Sequence, residues 1–185
     1  SEYLLPASLD NHSGGEEETS AKIPLFAKST RSLWWIGFGL LGGMIAEGSA
    51  SDWGAILLKD SMGISKGLNA AAFASFSLAM IVSRFSGDWA LEKFGPATVV
   101  RIGGYGGAII WGASIAIAIP LSDSHPLPAF IIVNLGFIAA GLGIGPMFPA
   151  FMLAASKLPG IAPGVALARV GVVGIGGYFI GPTVT

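Results

Sequence analysis

The sequence contains no cysteine, only two histidines and few charges. Without cysteine there is no disulfide scaffold, no thiol nucleophile and no thiolate-held metal or iron–sulfur centre. His12 and His125 stand too far apart in the chain to begin a metal site, and no cofactor is implied. Charged residues make up 11% of the 185 positions, against roughly 25% in an ordinary soluble domain. Such a chain cannot furnish a water-facing surface, so its exterior is expected to face a lipid bilayer. Ten basic against 11 acidic residues leave a net charge of −1, which offers nucleic acid no electrostatic footprint. What is abundant is apolar: 52% of residues are hydrophobic, and glycine (28) and proline (11) are frequent.

Composition changes abruptly near Arg31. Residues 1–31 hold the acidic run Glu16-Glu17-Glu18 among Asn, Ser, Gly and Pro, the composition of a flexible, solvated linker. No basic segment precedes an apolar core there, so it does not read as a signal peptide. Asn11-His12-Ser13 has the form of a glycosylation sequon, here a chance match if the segment is cytoplasmic. Beyond Arg31 come five apolar runs, at about 32–58, 68–87, 98–119, 129–156 and 163–185. Each supplies the roughly 20 residues that a helix needs to cross about 30 Å of hydrocarbon. Short polar joints make neighbours antiparallel. Trp34 and Trp53 in the first run are 19 residues apart, about 28 Å along a helix, the spacing of two interfacial aromatic belts.

Lys22, Lys28, Arg31, Arg84, Lys93, Arg101, Lys157 and Arg169 fall on one side of this layout, and only Lys59 and Lys66 on the other. Positive charge concentrates on the cytoplasmic side, so the linker and the N-terminal segment are expected to be cytoplasmic. The chain starts without Met, and its last run is still apolar at Thr185; a fragment of a longer protein is expected, one that does not transport alone. GxxxG spacings at Gly39/Gly43, Gly103/Gly107, Gly141/Gly145 and Gly177/Gly181 predict close helix packing. Pro146 and Pro149 in the fourth run, and Pro182 in the fifth, predict kinks, which membrane helices tolerate when neighbours satisfy the freed carbonyls.

Ionisable groups inside the bilayer cost at least about 2.5–3.5 kcal/mol at its centre. Glu47 is the clear case, 13 residues beyond Trp34. Asp52 sits beside Trp53 at the outer belt, and Arg169 lies about one turn inside the fifth run. Arg84 is expected to snorkel to the cytoplasmic face and pair with Asp88 one turn on. Its depth differs from that of Glu47 by more than about 10 Å, so the reading leaves Glu47 without it. Asn134 enters from the outer side to nearly the depth of Glu47. Both are therefore expected to line one polar path, and a carboxyl held from water there can carry a proton near neutral pH.

The stretch Ser83-Arg84-Phe85-Ser86-Gly87-Asp88-Trp89-Ala90-Leu91-Glu92-Lys93-Phe94-Gly95-Pro96 resembles the loop signature of the major facilitator superfamily. Glu92, Lys93, Phe94 and Gly95 match its acid, base, aromatic and glycine in order. The basic pair expected next is replaced by Pro96-Ala97, and Gly87-Asp88 stands one place off, as in the weaker copy of the second half. With Ala46-Glu47-Gly48-Ser49-Ala50-Ser51-Asp52-Trp53 and Gly177-Tyr178-Phe179-Ile180-Gly181-Pro182, the chain is similar to the MosC-like branch of bacterial transporters over nearly its whole length. The resemblance implies an all-α, polytopic inner-membrane protein of two six-helix halves. This chain would supply the inter-half linker and five helices of the C-terminal half. The missing N-terminal half is then a partner, along with the bilayer, a small-molecule substrate and, as a co-substrate, a proton. The first and fourth helices of a half would line the substrate path, and Glu92–Gly95 would act as a conformational latch. The expected function is secondary transport by alternating access; a non-transporting receptor or assembly subunit of the same fold is the alternative. A membrane-embedded enzyme lacks support, for the sequence has no histidine cluster, GxSxG or intramembrane acid pair.

Overall fold

The structure is a computed structural model that describes residues 31–65 and 67–184. The linker up to Thr30, with the Asn11 sequon, Lys22 and Lys28, lies outside the described residues, as does Lys66. The described chain is all helical and without strands, as expected for a polytopic membrane protein. Its helices are α1 (Arg31–Ile56), α2 (Ala71–Phe94), α3 (Pro96–Arg101), α4 (Gly107–Leu121), α5 (Pro126–Ile144), α6 (Met147–Ser156) and α7 (Pro163–Val184). Large apolar side chains such as Phe85, Phe179, Val172, Ile109 and Leu78 point outward. Helices that are apolar all round belong in lipid or in a large core.

Among the described residues, three helical stretches are long and apolar enough to cross a membrane: Leu68–Phe94, Pro96–Leu121 and Pro126–Ser156. Pro163–Gly177 is a shorter apolar helix. α1 has the length, but Glu47, Asp52 and six glycines dilute its hydropathy.

Several boundaries differ from the sequence reading. The second helix does not stop at residue 87 but runs to Phe94, placing Asp88, Glu92 and Lys93 on its last two turns rather than in a loop. Trp89, Leu91, Glu92 and Lys93 can all continue a helix, and nothing breaks it before Gly95. Gly95, at φ 76° and ψ 156°, occupies a region open essentially to glycine alone. It turns the chain directly into α3, with Pro96 at the first helical position, where its missing N–H costs nothing. The fourth run breaks between Ile144 and Met147, at Gly145-Pro146, into α5 and α6, with Pro149 in the first turn of α6. α7 continues through Pro182 to Val184. Two π-helical segments have no counterpart in the sequence reading: Leu57–Ser61 after α1, and Ile102–Gly106 joining α3 to α4.

α1 packs chiefly on α7, while α5 packs on both α2 and α4. Glycine makes these seams close. Gly103 and Gly107 lie against the backbone of Gly143 and Ala139, Gly141 and Gly145 lie against α2 at Phe76 and Met80, and Gly177 meets Leu41. Gly39 and Gly43 face Phe151 and Met147 of α6. Two buried apolar clusters result. One joins Phe76, Val133, Phe137, Ala140, Ala50 and Leu58; the other joins Leu33, Leu40, Met44, Ala166 and Val170.

Candidate functional site

α1 and α2 run antiparallel, with Ala72 of α2 against Gly54 of α1. Counting back along α1 brings Glu47 level with Ala79, and Arg84 lies five residues, about 7.5 Å, further along α2. The extended guanidinium closes that gap: Arg84 Nη2 donates to Glu47 Oε1 at 3.4 Å. This corrects the expectation that Arg84 pairs with Asp88 and cannot neutralise Glu47. The depth argument compared backbone positions, whereas two long side chains together span the difference. Glu47 is the sheltered partner, its side chain 13% exposed, while that of Arg84 is 51% exposed. The remaining N–H donors of Arg84 hydrogen-bond nothing among the described residues.

Asn134 faces a different neighbour. Its Oδ1 accepts from Ser75 Oγ at 2.9 Å, and its Nδ2 donates to the Phe130 carbonyl at 2.8 Å. It therefore ties α5 to α2, about one turn from the level of Glu47, and makes no hydrogen bond to that carboxylate. Ser83 Oγ adds a second tie on the same seam, to the Gly141 carbonyl at 3.2 Å. Sequence reasoning passed over Ser75 and Ser83. The only signal available was their place on the helix face shared with Phe76 and Ala79.

The signature residues cluster at the α2–α3 joint. Lys93 Nζ stands 4.7 Å from the Trp89 ring centre and 5.3 Å from that of Phe94, and the two rings meet edge to face at 5.7 Å. The cation thus rests in an aromatic corner, while Asp88 and Glu92 stay exposed. Asp52 is exposed beside Trp53, and Arg169 is half-buried on α7. An apolar cavity of about 440 Å³ lies between α1 and the π-helical segment, floored by Gly39, Gly43, Gly103 and Gly104. Arg101 is its one charged lining residue among the described residues, and Trp111, whose indole N–H has no partner among them, also lines it.

The chain resembles three curated proteins. It is 32% identical over 151 residues to the uncharacterised transporter y4wD of Sinorhizobium fredii, covering 81% of this chain and 37% of that protein. It is 29% identical to an uncharacterised MFS-type transporter of Yersinia pestis, over 97% of this chain and 42% of the relative. It is 25% identical to the membrane protein MosC of Rhizobium meliloti, over 98% and 41%. The chain therefore spans about two-fifths of the length of the curated relatives it matches. No protein-family model and no solved structure matches. Lipid-facing helices, a signature at the α2–α3 joint and similarity over most of the chain agree: this chain is similar to proteins named as MFS-type transporters and to the membrane protein MosC.

Proposed function

We propose that the chain forms part of the C-terminal half of a secondary transporter of the bacterial inner membrane, which moves a small solute by alternating access with a proton as co-substrate. The observation that carries this reading is the Glu47–Arg84 pair, set between α1 and α2, whose other ionisable residues (Arg31, Asp52, Asp88, Glu92 and Lys93) lie nearer the helix ends. Ionisable groups at such depth are costly and face a bundle interior or an aqueous path. Glu47 and Asn134 would flank the solute path from α1 and α5. Asp88, Glu92, Lys93 and Gly95 at the α2–α3 joint would latch one conformation, and the break at Gly145-Pro146 would let α5 and α6 bend separately. The N-terminal half of the same protein would close the other wall.

Proteoliposomes containing the full-length protein test this. Loaded with isotope-labelled bacterial extract and exchanged against an unlabelled one, the wild type should trade at least one solute by mass spectrometry, and Glu47→Gln should lose the part driven by a pH gradient. Silence in every channel would favour the receptor alternative.

A further inference from the structure

We infer that Arg84 is the seat for an anionic group of the transported solute, a carboxylate or a phosphate, bound together with a proton on Glu47; the inference rests on the transporter reading above. Three observations carry it. The ion pair is loose: 3.4 Å is well beyond the roughly 2.7–2.9 Å of a tight charge-assisted bond. Arg84 has five N–H donors, and those not on Glu47 bond nothing among the described residues. The accessible member of the pair is the cation, since the Arg84 side chain is half exposed and that of Glu47 largely covered. A solute reaching this site meets positive charge first.

Charge balance supplies the proton. The empty site is neutral as a pair, and an anion added alone would leave one uncompensated negative charge away from water, which is strongly disfavoured. A proton on a Glu47 oxygen restores neutrality for a carboxylate or a singly charged phosphate, and a phosphate dianion needs a second proton, on its own oxygen. Arg84 then pairs with the solute's anionic oxygens, and the Glu47 O–H can donate to them as well. No other group competes within ion-pair distance among the described residues. Asp52 on α1, Asp88, Glu92 and Lys93 on α2, Arg101 on α3 and Arg169 on α7 form no salt bridge with either partner. α5 and α6 carry no ionisable residue.

The test uses four probes built on one six-carbon skeleton, namely gluconate, glucose 6-phosphate, glucose and glucosamine, with full-length protein in liposomes under an inwardly directed proton gradient. The wild type should accumulate gluconate or glucose 6-phosphate and neither of the others. Arg84→Gln should abolish this, and Arg84→Lys should restore part of it. Glu47→Gln should keep exchange of the anion between equal pools but lose gradient-driven accumulation, a split that a purely structural role would not give. The inference is overturned if neither anion accumulates, or if Arg84→Gln, monodisperse on gel filtration, accumulates it like the wild type. Accumulation of glucose or glucosamine alone would overturn it while leaving the transporter reading intact. Failure of that reading shows separately, as silence in the extract exchange.

Discussion

Glu47 and Arg84 illustrate how little separation along a helix says about reach. Their contact spans about 7.5 Å of axial offset, bridged by an arginine stem that packs along apolar surface while its head finds charge. The buried acid was legible in the sequence because a short side chain so far from either aromatic belt has nowhere to go. Its partner was not, because depth was counted backbone to backbone. Because Arg84 is half exposed, the pair is expected to contribute only about 1 kcal/mol to stability. A double-mutant cycle on the full-length protein in detergent, with Glu47→Gln, Arg84→Gln and both, should return a coupling of that order from thermal melts. A coupling indistinguishable from zero would mean that the contact is not populated.

At the scale of the helix, the glycine spacings told which faces pack but not what they meet. Gly103/Gly107 and Gly141/Gly145 do lie on seams, yet Gly143, outside any pair singled out, makes the closest backbone approach, to Gly103. A methyl at 143 would collide with backbone that cannot move aside, whereas one at Gly112 meets open space. Gly143→Ala should therefore cost about 1–3 kcal/mol, and Gly112→Ala should be neutral or mildly stabilising; comparative melting of the two variants decides. The end of α2 was misread for a different reason. The apolar run stops at residue 87, yet Asp88, Glu92 and Lys93 prolong α2, because charged residues end a membrane span without ending a helix. The π-helical turn at Ile102–Gly106 left no sequence mark beyond a local excess of glycine.

For the whole molecule, the excess of Lys and Arg on one side predicts an orientation that the helices alone leave open. Because these 185 residues are cysteine-free, a single cysteine placed among them, in a full-length protein cleared of any other cysteine, reports its own position. Asp123→Cys, in the exposed joint between α4 and α5, should react with a membrane-impermeant maleimide added to intact cells. Lys157→Cys, in the joint between α6 and α7, should react only after lysis. The reverse pattern would invert the topology. The two apolar clusters divide α1 between them: Leu33, Leu40 and Met44 belong to one, and Ala50, with Leu58 of the π-helical segment that follows, to the other. Glu47 stands at the changeover. α1 is thus gripped at both ends by different bodies, like a shaft held in two bearings, and can neither slide nor spin without disturbing both. Bending near its middle is the cheap deformation, where Gly42, Gly43 and Gly48 flank the acid. An added methyl at Gly48 meets nothing within 4 Å, so Gly48→Ala should stabilise the fold by roughly 0.5–1 kcal/mol while slowing turnover. A variant both more stable and equally fast would place the bend elsewhere. A change of charge at that midpoint would be felt by both cores at once.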